Sequence, residues 1–177
     1  MARLIALLRA VNVGGRKLPM AELRALCAEL GWQDVATYIQ SGNLVFSASG
    51  TGAALEARLE AAIRERFGLE VPVMIRSAAE WRACLKANPF PAVAREAPNR
   101  LQILVSKRPP DPRAAERLMA RARGGEDAKA AGGALWIHYP GGVGVSKLTP
   151  AAIDRAVGSP ATGRNYRTAL KLREMAE

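Results

Sequence analysis

Three stretches of this sequence bring together residue types suited to holding an anion. The first is Asn12-Val13-Gly14-Gly15-Arg16-Lys17-Leu18-Pro19, where two glycines and two cations stand directly before the helix that Pro19 opens. A helix start presents backbone N–H groups with no intrahelical acceptor and the positive end of the helix dipole, an arrangement that suits a phosphate or carboxylate. The stretch lacks the GxxxxGK[ST] spacing of a nucleotide-hydrolysing phosphate loop. Its structural alternative is a tight strand-to-helix turn with positive φ at Gly14 or Gly15. The second stretch, Gly141-Gly142-Val143-Gly144-Val145-Ser146-Lys147, resembles a phosphate cradle in composition. The third glycine of a dinucleotide fingerprint would fall on Lys147, so that fingerprint is absent and a flexible loop is the other reading. The third stretch, Thr162-Gly163-Arg164-Asn165-Tyr166-Arg167-Thr168-Ala169-Leu170-Lys171, mixes hydroxyl, amide and cationic groups at a helix start. There Thr162 is the expected cap, and Arg164 and Asn165 either contact a ligand or lock the helix in place.

Groups for proton transfer or metal binding are sparse. His138 is the single histidine and lies on a strand pattern, with no nucleophile or orienting carboxylate at a spacing that would make it a general base. Glu56, Glu60, Glu65, Glu70 and Glu80 read as solvated helix faces and ends. Cys27 and Cys84 sit among apolar neighbours in helical patterns, as buried thiols do. No CxxC or Cys/His cluster is present, so neither metal nor cofactor is expected.

The elements that must position these stretches follow from the apolar periodicity. Residues 3–11 are apolar on both alternating faces, the mark of a central strand covered on both sides. A helix runs from Pro19 to Leu30 with Leu23, Leu26 and Leu30 on one face. Strands at about 34–40 and 43–48 flank a Ser41-Gly42 hairpin turn. A helix over about 52–67 carries Leu55, Leu59, Ile63 and Phe67, and Gly68 ends it. The next strand, 71–76, has an edge position because Pro72 lacks a donor. Residues 1–76 thus read β-α-β-β-α-β, the ferredoxin-like plait. A connecting helix and Pro-rich hinge fill 77–98. Residues 99–177 echo the first half as an imperfect second plait, with a strand at 99–106, a helix at 112–123, a short strand before Gly132-Gly133, a strand at 134–139 and a helix at about 150–157, no clear sixth element, and a C-terminal helix at about 164–176. The fold class is α+β.

The plait topology has a functional consequence. Strands one and two run toward the same edge of the sheet, so the Asn12–Lys17 loop and the Ser41-Gly42-Asn43 turn are expected to be neighbours. An RNA-recognition reading of the plait needs aromatics on the central strands. Residues 3–11 hold none, and the 43–48 strand has only Phe46.

The 177 residues carry a formal charge of +10, which attracts phosphates and nucleic acid. Of the 26 basic residues 20 are arginine, and alanine, glycine and proline are abundant, the joint bias that a GC-rich genome also writes onto a surface. The N-terminal apolar run is cut by Arg9 with no small-residue cleavage site, and no run approaches the length of a membrane span. A cytoplasmic protein without a membrane partner is expected.

Residues 9–46, RAVNVGGRKLPMAELRALCAELGWQDVATYIQSGNLVF, resemble the opening of bacterial domain-of-unknown-function family 1697. GVGVSKL and ATGRNYRTALKL are similar to its two C-terminal motifs. The resemblance implies two ferredoxin-like subdomains and no established activity. The matching positions are Asn12, Gly14, Gly15, Gln40, Ser41, Gly42, Asn43, Ser146, Lys147, Arg164, Asn165 and Lys171. The chain departs from the family pattern at Val145, where a basic residue is usual, and at Gly163, where a second threonine is usual.

These readings converge on a bacterial protein that binds a phosphorylated or otherwise anionic ligand, a nucleotide or nucleic acid, at a basic cleft. Asn12, Gly14, Gly15, Arg16, Lys17, Ser41 and Asn43 supply one rim, and Lys147, Arg164, Asn165 and Lys171 the contribution of the second half. Two alternatives stand beside it. One is an enzyme acting on a phosphorylated small molecule, with Lys17 and Arg164 as electrostatic clamps. The other is a protein-interaction module without a small ligand, marked by an apolar surface patch.

Overall fold

The apolar run that opens the chain forms β1 (Ala2–Leu8) in the computed structural model, which describes residues 1–177. It is followed by α1 (Met20–Glu29), β2 (Gln33–Thr37), β3 (Asn43–Ala48), α2 (Gly52–Phe67) and β4 (Val73–Ser77). The four strands form one antiparallel sheet in the order β2-β3-β1-β4, with β1 in the interior and β4 on an edge, as Pro72 requires. Leu4, Ala6 and Leu8 of β1 pack with Leu23, Leu26, Leu55, Leu59 and Ile63 from the two helices. Trp32 stacks on Phe46 in the same core, ring centroids 4.2 Å apart. Burying each of Leu55, Leu59 and Ile63 is worth about 1.5–3 kcal/mol, against differences of at most about 0.7 kcal/mol per ordinary residue in helix propensity. Packing therefore holds α2 in place, and the Thr51 hydroxyl, accepting from the Ala54 N–H, sets where it starts.

The second half continues with α3 (Ala78–Lys86), α4 (Pro91–Glu96), β5 (Leu101–Ser106), α5 (Ala114–Met119), β6 (Asp127–Ala131), β7 (Ala134–His138), α6 (Pro150–Val157), β8 (Ala161–Asn165) and α7 (Tyr166–Ala176). Its strands form a second antiparallel sheet in the order β6-β7-β5-β8, the order of the first. The chain divides into two compact units, Met1–Trp81 with Leu172–Glu177, and Arg82–Lys171. No helix is long and apolar enough to cross a membrane.

The structure corrects the sequence reading at several positions; Glu56, read as part of a solvated helix face, is buried, its Oε1 accepting from the Ile75 N–H at 2.7 Å. The missing sixth element of the second half is β8, which pairs along β5 from Ser106↔Ala161 to Gln102↔Asn165. Thr162 therefore lies in a strand, and the cap of α7 is Asn165, whose Oδ1 accepts from the Thr168 N–H at 2.9 Å. The final helix begins at Tyr166, not at 164. β2 also stops at Thr37, three residues before the expected end. Tyr38 N–H instead donates to the Asn43 carbonyl, which closes the turn early.

Candidate functional site

The segment after β1 folds into a small closed ring. Asn12 N–H donates to the Arg16 carbonyl at 2.7 Å, and Arg16 N–H to the Val13 carbonyl at 3.1 Å, so Val13-Gly14-Gly15-Arg16 is a tight turn. Leu18, fully buried, pins the far end of the ring to the core. The Asn12 carboxamide ties the whole together: Nδ2 donates to the Leu18 carbonyl at 3.0 Å and to the Gln40 carbonyl at 2.6 Å, while Oδ1 accepts from the Leu18 N–H at 2.9 Å.

The turn between β2 and β3 is the other wall. Asn43 is fully buried and its Nδ2 donates to the Tyr38 carbonyl and to Ser41 Oγ, both at 2.9 Å. Gly42 returns its carbonyl to the Leu8 N–H at 2.8 Å. The 12–17 loop and the 41–43 turn are thus neighbours at one sheet edge, as the topology requires. Ala10, Asn12 and Ile39 all adopt positive φ, 54°, 55° and 50°. Left-handed backbone costs an ordinary residue about 1–2 kcal/mol, and the bonds of Asn12, Asn43 and Gly42 hold the rim in that conformation.

Once these frame contacts are assigned, the groups left facing outward are few. Arg16 is engaged, its Nε on the Ala10 carbonyl at 2.9 Å and its guanidinium on the Glu70 carbonyl at 2.5 Å. Lys17 is exposed and its ammonium contacts no protein acceptor. The Gln40 carboxamide is likewise exposed, and Pro19, just before α1, supplies no side-chain cap. Asn12, Gly15, Arg16, Lys17 and Gln40 line an open hollow of about 380 Å³. An exposed ammonium beside a carboxamide at one hollow is equipment for holding an anion, while the N–H groups of Asn12, Arg16 and Lys17 are bonded to backbone carbonyls within the loop.

A family model of proteins of unknown function matches residues 1–136, a span that includes this whole rim. The chain belongs to DUF1697. The conserved bacterial protein SP0830 from Streptococcus pneumoniae has a similar structure, with a TM-score of 0.78, 24% identity and 99% of each chain covered. That similarity extends the two-sheet fold to a conserved bacterial protein. No curated protein matches the chain. For DUF1697, the rim gives several motif residues a physical role: Asn12, Ser41, Gly42 and Asn43 build the frame, and Gln40 lines the hollow. Gln40, one of the positions that match the family pattern, lies past the end of β2 and lines the hollow with Lys17.

The remaining site residues of this DUF1697 chain lie in the second unit, where Arg164 and Asn165 have local partners. Arg164 is buried; its guanidinium donates to Thr162 Oγ1 at 2.8 Å and to the Gly163 carbonyl at 2.9 Å, and burial pushes it down to about 10. Asn165 caps α7. Lys147 is exposed in the loop before α6, and Lys171 is half-buried on α7. A Cβ at Gly163 would come within 2.6 Å of Gln102 Oε1, so the carboxamide of Gln102 fills the space that a threonine needs there. His138 is half-buried on β7, its ring tilted against Phe90 at 6.3 Å.

Ser146 is held by a buried carboxylate rather than aimed at a ligand. Its hydroxyl donates to Glu126 Oε1 at 2.6 Å, and Oγ accepts from the Leu148 N–H at 3.2 Å. Glu126 also accepts from the Gly124 N–H at 2.8 Å. The Ser146 hydroxyl first, and backbone N–H groups after it, hold the Glu126 carboxyl below the ordinary carboxylate range. Burial, with the Glu126 charge behind it, pushes the Tyr139 hydroxyl up to about 12. A depressed carboxylate stabilises the fold above its unfolded pKa of about 4.3, and that contribution is lost as pH falls through the lower folded value. Glu126→Gln should therefore lower the unfolding midpoint at pH 7, with the gap to wild type closing in scans run toward pH 3. A gap that stays constant with pH would show that the ionised carboxylate is not the stabilising form.

Proposed function

We propose that the rim of the first unit binds a phosphorylated or otherwise anionic small ligand, of the size of a nucleotide. The observation that carries this reading is Lys17: an exposed ammonium with no protein partner, beside Gln40 and Gly15, at a hollow of about 380 Å³. Hollows of roughly 300–1,000 Å³ suit small molecules. The formal charge of +10 adds long-range attraction for the same class of ligand. The reading takes each unit as a ferredoxin-like plait, which the shared strand order and fully antiparallel pairing support. It places the protein in the cytoplasm, where nucleotides and sugar phosphates are abundant.

The test is a thermal-shift screen of wild type and Lys17→Ala against nucleotides, sugar phosphates and inorganic phosphate, at low and moderate salt. A ligand at a hundredfold excess over its Kd stabilises the native state by about 2.7 kcal/mol. The expected result is a salt-tolerant rise in midpoint with one class of small phosphate, lost in Lys17→Ala while the unliganded midpoint is kept. No shift with any of these compounds, or an equal shift in the variant, would overturn the reading.

A further inference from the structure

We propose that the second unit carries a separate anion site, a groove between α5 and α6 that takes the phosphodiester backbone of a nucleic acid. Ala120, Ala152 and Ala156 make its floor, and Arg117, Arg121 and Arg155 surround an open hollow of about 340 Å³. The helices turn Ala114, Leu118, Ile153 and Val157 into a core that Ala156 also joins, so the groove is the outer seam where the two helices meet. Alanine at the adjoining positions gives it depth.

The three arginines are not equivalent. Arg117 is anchored, with Nη1 at 3.2 Å from Asp111 Oδ2 and 3.3 Å from the Ala156 carbonyl. Arg121 lies four residues on, and its N–H donates to the Leu118 carbonyl, so it continues the helical turn on the same side as Arg117. Arg121 and Arg155 are exposed and pair with no carboxylate. The Asp111 carboxylate pairs with Arg117 and the Glu116 carboxylate acts on the same guanidinium, so the unbalanced positive charge at the hollow is that of Arg121 and Arg155, whose repulsion an entering anion relieves. Guanidinium forks match phosphate oxygens in a bidentate way that lysines do not. The hollow is open to solvent, as the rim hollow is, and the exposed Arg121 and Arg155 beside it are placed to meet successive phosphates of an extended backbone. The interaction is with backbone, so it positions a strand without reading its sequence.

The site stands independently of the rim in the first unit, and its test separates the two. The affinity of a fluorescein-labelled single-stranded oligonucleotide is measured by anisotropy over a salt series for wild type, Arg121→Ala/Arg155→Ala, Arg58→Ala/Arg95→Ala and Lys17→Ala. Arg58 and Arg95 are exposed arginines elsewhere, so the second double variant loses the same charge. The groove variant is expected to bind at least about tenfold more weakly, and the slope of log affinity against log salt to fall by about 2, one for each lost phosphate contact. The control double variant and Lys17→Ala are expected to stay within about threefold of wild type. Equal loss in both double variants would overturn the proposal, since diffuse charge would then account for binding. So would the absence of oligonucleotide binding at low salt. It would equally be overturned if pyrophosphate binding depended on Arg121 and Arg155 while oligonucleotide binding did not.

Discussion

Gly42→Ala is expected to lower stability by about 2–4 kcal/mol, more than the same change at any glycine of the 12–17 loop. An added Cβ would stand 2.7 Å from Leu8 Cβ and 2.7 Å from Val11 Cγ2, and φ there is +81°. Leu8 ends an interior strand and Val11 is buried, so neither yields cheaply. Overpacking of this kind costs about 1–3 kcal/mol and the left-handed backbone about 1–2 kcal/mol. For a chain of this length the change corresponds to roughly 5–15 °C in the midpoint of thermal unfolding. Gly14→Ala is the comparison: φ is +56°, yet no atom lies within 4 Å of the added carbon. Only the conformational part remains, about 1–2 kcal/mol. Equal losses at the two positions would mean that the turn does not press on the end of β1.

Asn12→Asp is the second large effect, about 2–4 kcal/mol at pH 7. The substitution keeps the shape and the oxygen that accepts from the Leu18 N–H. It replaces the Nδ2 donor by a carboxylate oxygen facing the Leu18 and Gln40 carbonyls, which stand 3.0 and 2.6 Å from that atom. Two hydrogen bonds are lost, at about 1 kcal/mol each, and repulsion is added. Protonation restores one donor, so the penalty should shrink below about pH 4, the usual range of an aspartate. Denaturant titrations at pH 7 and pH 3.5 measure both effects. A loss under 1 kcal/mol at pH 7 would show that Asn12 does not hold the two walls of the rim together.

The fold was legible where apolar periodicity is strong. The two-sided run of β1 and the spacing of Leu55, Leu59 and Ile63 marked an interior strand and its covering helix, and strand direction alone brought the two loops to one edge. β8 was hidden because Ala161-Thr162-Gly163-Arg164-Asn165 shows neither alternation nor β-branched enrichment beyond Thr162; its pairing with β5 is a tertiary fact. At the candidate site the residue types were legible and their roles were not. A cation or amide in a loop reads the same whether it faces solvent or a backbone carbonyl, and only the coordinates distinguish the engaged Arg16, Asn12 and Asn43 from the outward Lys17. The groove arginines come from α6 and from α5 with the turn after it, more than 30 residues apart, and the register between α5 and α6 leaves no mark in either helix.

The most direct measurement is a ¹H–¹⁵N correlation spectrum of the protein titrated with inorganic phosphate, pyrophosphate and the small phosphate selected by the thermal-shift screen. The account predicts saturable shifts of the Gly14, Gly15 and Lys17 amides and of the Gln40 side-chain amide, with the midpoint in Lys17→Ala displaced at least about tenfold. Each lost charge-assisted hydrogen bond is worth about 1.5–3 kcal/mol. Shifts confined to residues outside the rim, or a midpoint unchanged in Lys17→Ala, would contradict it.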